Sequence, residues 1–293
     1  MISSTTITAL QKWVDSTKSS CHIHFELVGG SVESYIVVSR EVQSREAIRI
    51  SKDLPSEFKP QRILEIGASL GFKSMALAEY FGEAEVHSIE PDLEATEAAA
   101  AMANDLSLSY KPIHGFGEQL DYPDDYFDLI ICHTVIEHVK DVAKVVSEMS
   151  RVLKQTGFIH LEAPNYLWPY EPHVRAWCIP LMGKAQVKIL TWLQGKGKDN
   201  WYIDHLQFVT PRSLEREFTN NGLSYRNLVE KKIRSLFEGK VEVKHYKKTA
   251  KLIAWFEKLG IGTVIVWFIL RTGLYPSVLY SLSKQKENQE SSS

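Results

Sequence analysis

Residues Arg62–Gly71 constrain this chain more than any other stretch. The apolar run Ile63-Leu64-Glu65-Ile66 leads into a glycine-rich turn, Gly67-Ala68-Ser69-Leu70-Gly71. Phe72–Phe81 follows, and Met75, Ala76, Leu77 and Ala78 favour helix there. Strand, tight loop and helix in that order make a ligand turn. Small residues let the backbone come close to a ligand, and glycine adopts backbone angles that other residues avoid. The spacing of Gly67 and Gly71 is neither a dinucleotide fingerprint nor a phosphate loop ending in Gly-Lys-Ser/Thr. Glu65 stands before the first glycine, where it would repel a pyrophosphate and suit an ammonium group. Glu90 closes a second apolar run, Val86–Ile89, about twenty residues further on, where an acid accepts hydrogen bonds from ribose hydroxyls. An uncharged or cationic nucleoside satisfies both observations.

From Arg62 to Glu162 the pattern alternates between strand and helix. Strands are expected over Ile63–Ile66, Val86–Ile89, Ser107–His114, Phe127–His133 and Phe158–Glu162, and helices over Phe72–Phe81, Leu93–Asp105 and Val139–Leu153. In the last helix Val139, Val142, Val146, Met149 and Leu153 share one face. Such alternation implies parallel strands joined by right-handed crossovers, with ligands at the carboxyl ends of the strands. Glu65, Glu90 and His133 all fall at those ends.

The flanks are less regular. Ile7–Val14 reads as helix, and Cys21–Val28 with Val32–Val38 read as a hairpin about Gly29-Gly30. Glu41–Leu54 reads as a helix stopped by Pro55. Pro164–His205 interrupts the alternation with Tyr166, Trp168, Tyr170, Trp177, Trp192, Trp201 and Tyr202. Following the fifth strand, it should lie over the ligand end, either as a lid that binds an acceptor or as an aromatic mini-core of its own. Thr210-Pro211 starts a capped helix that runs to about Asn220. Leu223–Val229 and Val278–Lys284 supply a sixth and a seventh strand, and residues 285–293 read as a disordered tail.

The motifs resemble those of the class I S-adenosylmethionine-dependent methyltransferases, in that family's order and over roughly Gln61–Glu162. Glu65-Ile66-Gly67-Ala68-Ser69-Leu70-Gly71 resembles motif I, Glu90-Pro91-Asp92 the ribose-binding acid, Glu118–Ile130 the segment entering strand four, and Val135-Ile136-Glu137-His138-Val139 the Leu-Glu-His-Val stretch. The resemblance implies a doubly wound, mainly parallel seven-stranded α/β sheet and S-adenosylmethionine as cofactor. It assigns cofactor contacts to Glu65, Gly67, Ala68, Gly71, Glu90, Pro91, Gly117, Glu118 and His133. Two positions depart from the family pattern. Ser69 stands where glycine is frequent, and Phe116 precedes Gly117-Glu118 where an acid would meet the adenine. Phe116 either stacks on the ring or fills core.

Methyl transfer needs no covalent protein nucleophile, because the cofactor carries the reactive group. The protein must orient the partners, exclude water and, for a hydroxyl acceptor, remove a proton. Histidine titrates near neutral pH and suits that task. His133, Glu137, His138, His173 and His205 are the residues available, with His173 first and His205 second because they lie in or beside the insertion. His138, at a predicted helix start, reads as structural.

Composition narrows the classes further. A net charge of −2 gives no general attraction to nucleic acid. Cys21, Cys132 and Cys178 are too dispersed for a disulfide framework or a metal site, and no metal is expected from the sequence. The first residues lack a secretory pattern, so a cytoplasmic setting is expected. Residues 247–270 mix lysines with Leu252, Trp255 and Phe256, which suits either core helices or peripheral contact with an anionic membrane surface. The plan is an N-terminal extension (1–60), a cofactor core (61–163), an acceptor-binding insertion (164–209), the rest of the core with amphipathic helices (210–284) and a tail. The expected activity is methyl transfer to oxygen of a small-molecule, lipid or glycan acceptor. The alternatives are a nicotinamide-dependent oxidoreductase and a non-catalytic cofactor-binding or membrane-surface protein.

Overall fold

The computed structural model describes residues 2–20, 30–197, 200–237, 260 and 262–285. Seven strands form one sheet. They are β1 (Arg62–Ile66), β2 (Glu85–Glu90), β3 (Tyr110–His114), β4 (Phe127–His133), β5 (Leu153–Pro164), β8 (Leu223–Asn227) and β9 (Ser277–Lys284). Their order across the sheet is β3-β2-β1-β4-β5-β9-β8. The first five are parallel, whereas β9 runs antiparallel to both β5 and β8. This is the expected doubly wound, mainly parallel architecture.

The central strands read as continuous apolar runs because both faces are covered. Ile63, Leu129 and Ile131 face a core built with α3 (Phe72–Phe81) and α4 (Leu93–Asp105). Leu64, Ile66, Ile130 and Cys132 face the opposite core, with α5 (Val142–Val152) and α8 (Pro211–Asn220). Capping sets several boundaries. Asp141 caps α5 through Lys144 N–H, so this helix starts three residues later than its apolar spacing suggests. Thr210 caps α8 as expected, with Pro211 in its first turn, and Ser213 completes a capping box with it. Ser107 takes a left-handed backbone (φ 53°) at the end of α4, which delays β3 to Tyr110.

The N-terminal region needs correction. Val32–Val38 is not a hairpin strand; it opens α2 (Val32–Ser51). Ser31 caps that helix by accepting the Ser34 N–H at 3.2 Å. Val32, Ile36, Ala47 and Ile50 are buried at helical spacing, whereas Val37 is exposed. The other half of the expected hairpin, Cys21–Val28, lies outside the described residues. The helix α1 (Ser4–Ser20) packs on α4, and α2 packs on α3. Trp13 Nε1 donates to Asp92 Oδ2 at 3.0 Å. The extension is therefore tied directly to the turn after β2.

Between β5 and α8 come a two-stranded hairpin, β6 (Tyr170–Glu171) with β7 (Ala176–Trp177), then α6 (Gly183–Leu193) and α7 (Asn200–His205). Their own small core is mostly aliphatic: Val174, Ala176, Val187 and Ile203. Trp177 and Trp192 are exposed, so the tryptophans do not build a mini-core. Beyond β8, α9 (Val229–Phe237) and α10 (Gly262–Thr272) precede β9. Among the described residues no helix is long and apolar enough to cross a membrane. The part of 247–270 before α10 and residues 286–293 of the tail lie outside the described residues.

Candidate active site

The strand order reverses between β1 and β4, and sheets of this kind bind ligands at that point, in a crevice at the carboxyl ends of the strands. The turn after β1 supplies one wall. Gly67 donates its N–H to Ile89 O at 2.8 Å, which ties the turn to β2. Gly67 has φ 68°, and a Cβ placed on it would lie 2.3 Å from Val135 Cγ2, on the segment after β4. Gly71 has φ 71° and immediately precedes α3, whose N-terminus has no side-chain cap. Its missing Cβ leaves room for the Tyr110 hydroxyl, which bonds Ser88 Oγ at 2.8 Å beneath the turn. Ser69 also has a positive φ, 50°, so serine accepts the left-handed backbone where glycine is frequent.

Glu90 faces this turn. Its Oε2 accepts the Ser69 N–H at 2.6 Å and its Oε1 the Asp92 N–H at 3.0 Å. Burial raises its pKa, and the two backbone donors oppose that shift. Each oxygen spends one acceptor site on the backbone and keeps another, which is what a pair of ribose hydroxyls requires. Pro91 and Ala68 sit on the two facing turns. Phe116 is half-exposed, which removes the core-filling alternative. A Cβ placed on Gly117 would lie 3.0 Å from Ile66 Cγ2, and Glu118 accepts the Lys140 N–H at 2.8 Å.

Two expected contacts are engaged elsewhere. Glu65 is buried beneath the first turn of α3, where it accepts from Ser74 Oγ at 2.6 Å and lies 3.5 Å from Lys73 Nζ. Lys73 thus pairs with the carboxylate expected to meet a ligand ammonium, and nothing in the sequence order of Lys73 and Glu65 signalled that pairing. His133 is buried, with Nε2 2.7 Å from His160 Nδ1; His160 Nε2 lies 3.1 Å from Asp53. Burial, the nearby Lys73 and His160 push the His133 pKa well down, so it is neutral.

A second wall comes from the insertion. Glu137, just after β4, is completely buried, and neither carboxylate oxygen has a hydrogen-bond partner among the described residues. Burial raises its pKa to about 7. His138 Nε2 lies 3.7 Å and His173 Nε2 3.9 Å from Glu137 Oε1. Burial, with the neighbouring His173, lowers the His138 pKa to about 4. His173 sits in the turn of the β6–β7 hairpin, and buried Glu171 holds its Nδ1 at 2.6 Å. The same Glu171 accepts the Val174 N–H at 2.7 Å, which fixes the turn. Tyr202 on α7 approaches His138 Nδ1 at 3.4 Å. His138 therefore joins His173 instead of serving only a helix start. His205, at the end of α7, is exposed and packs on Trp201, away from this group.

Residues 64–161 match a family model described as a methyltransferase domain. An uncharacterized methyltransferase, YcgJ of Bacillus subtilis (strain 168), is 36% identical over 97 residues, 33% of this chain and 38% of the relative. The ubiquinone biosynthesis O-methyltransferase of Rhodopseudomonas palustris (strain TIE-1) is 29% identical over 181 residues, 60% of this chain and 63% of that protein. The chain thus spans less than two thirds of the length of these relatives. Among solved structures, geranyl diphosphate methyltransferase in complex with SAM aligns with a TM-score of 0.53 at 14% identity, over 86% of this chain and 90% of that one. Haemonchus contortus phosphoethanolamine N-methyltransferase 2 aligns with a TM-score of 0.53 at 14% identity, over 97% of this chain and 58% of that one. At such identities the likeness is one of fold.

Proposed function

We propose that this protein, whose residues 64–161 match a family model described as a methyltransferase domain, moves a methyl group from S-adenosylmethionine to an oxygen of a small acceptor. One observation carries the reading: Glu90 grips the backbone of the Gly67–Gly71 turn and keeps acceptor capacity for a ribose. The residues fit the cofactor on three counts. Val135 leaves no room for a Cβ at Gly67, the start of α3 carries no side-chain cap, and the turn between them is not a phosphate loop. Bound S-adenosylmethionine supplies an electrophilic methyl: the bond from acceptor oxygen to carbon forms as the carbon–sulfur bond breaks, and the electron pair stays on sulfur.

The chain's own contribution is orientation, water exclusion and handling of the acceptor proton. Glu90 holds the ribose, the backbone of Gly67, Ala68 and Gly71 lines the cofactor, and Pro91, Gly117 and Glu118 border it. Glu65 anchors the first turn of α3 through Ser74 and Lys73, and His133 is held by His160 behind the turn after β4. Holding two reactants in register lowers a barrier by roughly 7–11 kcal/mol. The group of Glu137, His138 and His173 manages the proton of the acceptor hydroxyl, with His173 oriented by Glu171. His205 belongs to the wall of the insertion and has no part in that group.

The acceptor is apolar in part. Leu181, Met182 and Ile189 are exposed on and before α6, and the ubiquinone biosynthesis relative acts as an O-methyltransferase by its name. Peripheral contact with a membrane surface through residues 247–270 belongs to the same reading, supported by exposed Val264, Trp267 and Phe268 on α10. The test is calorimetric titration with S-adenosylmethionine. A hydrogen bond to a charged group contributes about 1.5–3 kcal/mol, so Glu90→Ala should weaken binding roughly tenfold to a hundredfold. Unchanged affinity in Glu90→Ala rejects the cofactor site, and transfer of a labelled methyl into fractionated extract identifies the acceptor.

A further inference from the structure

We infer that Glu137, His138 and His173 form a divalent-metal site beside the cofactor crevice, one that takes a first-row transition cation such as Zn2+. The inference rests on the methyltransferase reading only for what the ion does, not for whether it binds. Each of the three side chains offers one ligand atom, and these atoms lie within 4.8 Å of one another. Two imidazoles and one carboxylate are an established donor set for zinc and for other late divalent ions.

Three independent features point the same way. First, Glu137 is fully buried, yet neither of its oxygens has a hydrogen-bond partner among the described residues. Burying a carboxylate with no partner is costly, so something must approach it. Second, the Nε2 atoms of His138 and His173 stand 3.7 and 3.9 Å from the same oxygen, Glu137 Oε1. These distances are too long for hydrogen bonds. Ligands on a tetrahedral ion with bonds of about 2.1 Å lie roughly 3.4 Å apart, so a modest contraction would close the group around a cation.

Third, the supporting shell is already built. A carboxylate can only accept, so the 2.6 Å contact with Glu171 puts the His173 proton on Nδ1 and leaves the lone pair on Nε2. That carboxylate–histidine arrangement is how metal-binding imidazoles are oriented. Tyr202 approaches His138 at the corresponding atom, Nδ1, 3.4 Å away. Both rings therefore turn the same nitrogen towards Glu137. His138 lies at the exposed edge of the group and His173 is partly buried, so a fourth position is open to a small ligand on that side.

Three protein ligands with an open position are the pattern of a catalytic ion rather than a structural one. An acceptor hydroxyl oxygen in that position would lose its proton to water near neutral pH, because the ion stabilises the oxyanion. His173 would then act as a ligand and not as the final proton acceptor.

The test uses the full chain, stripped with chelator and dialysed against Zn2+, with S-adenosylmethionine affinity measured on the same preparation. The expected result is one Zn2+ per chain, with affinity lowered at least a hundredfold in Glu137→Gln and in His173→Ala. Glu171→Gln, which touches only the supporting shell, should lower it about tenfold to a hundredfold. His173 lies in a surface hairpin, so its variant should remain folded even if the Glu137 variant does not. Zn2+ binding equal in wild type and His173→Ala would overturn the site as adventitious surface histidine binding. If S-adenosylmethionine still bound in that case, the methyltransferase reading would stand without the ion. Loss of S-adenosylmethionine binding in unaltered protein that takes up Zn2+ through these residues would remove the methyltransferase reading and keep the site.

Discussion

Replacing Gly67 by alanine tests the geometry of the crevice at its tightest point. Two costs follow from the structure. The backbone there has φ 68°, in the left-handed region. A residue with a Cβ pays about 1–2 kcal/mol for it. The added carbon would also sit 2.3 Å from Val135 Cγ2 and 2.9 Å from Val135 Cγ1. Neither neighbour can retreat freely, because Val135 packs against the core under the crevice. Overpacking of this kind costs about 1–3 kcal/mol. The sum, roughly 2–5 kcal/mol, should lower the melting temperature by about 5–15 °C. Any shift of the turn moves the Ser69 N–H away from Glu90, so affinity for S-adenosylmethionine should fall at least tenfold. Adding Val135→Ala removes both clashing γ-carbons and leaves a Cβ contact of 3.2 Å. The double variant should therefore recover the overpacking part and retain the backbone part. Thermal melts and calorimetry on the four proteins of the cycle measure this. Additivity within about 0.5 kcal/mol would refute the argument, as would a Gly67→Ala protein with unaltered melting and affinity.

Further expectations follow from other contacts. Gly71→Ala should behave similarly, since its Cβ would lie 2.3 Å from the Tyr110 hydroxyl; Tyr110→Phe should rescue it only in part, because two ring carbons remain within 3 Å, and full rescue in a thermal melt would contradict the geometry. Trp13→Phe removes the hydrogen bond to Asp92 and should cost about 0.5–1.5 kcal/mol of stability with a smaller effect on cofactor affinity, both readable by denaturant titration and calorimetry. Burial raises the Asp53 pKa, but hydrogen bonds from His160 and Lys231 outweigh it and hold the carboxyl at about 2, below its ordinary 3.8. A depressed carboxyl contributes stability that is complete above the ordinary value and is lost as pH falls through the folded one. Wild type should therefore lose stability between about pH 4 and pH 2 more steeply than Asp53→Asn, and parallel acid titrations of the two would exclude the ion pair as a contributor.

Much of the sheet was legible because its chemistry is one-dimensional. β4 is apolar on both faces and flanked by polar turns, so Phe127–His133 coincides with its sequence limits. The turn before α3 was legible because few side chains tolerate its backbone. The start of α2 was not. Tyr35-Ile36-Val37-Val38 favours strand by composition, but the Ser31 cap and burial against α3 make it helix. Local preference lost to tertiary packing, as it does when the competing terms are each a few tenths of a kcal/mol per residue.

One boundary error had a chemical consequence. Apolar spacing alone starts the fifth helix at Val139. On that basis His138 is a cap-region residue with no further duty. Asp141 moves the start to Val142, so Glu137 and His138 lie in a turn and not in a helical ladder. Their side chains are then free to meet a hairpin whose residues are distant in sequence. Glu171-Pro172-His173 holds both partners within three residues, but neither their pairing nor the arrival of His173 over Glu137 could be read there, because both depend on how the insertion folds back. Backbone contact secures that return: Gln207 N–H donates to Glu137 O at 2.6 Å. A side-chain oxygen acting as helix cap thus decides whether a neighbouring histidine serves the helix or the crevice. Shifting the cap offers a direct check. Asp141→Ala should lengthen or fray α5 at a cost of about 1 kcal/mol and perturb the His138 ring signals. Unchanged signals in an NMR spectrum of histidine-labelled protein would mean that the cap does not set the geometry of the group.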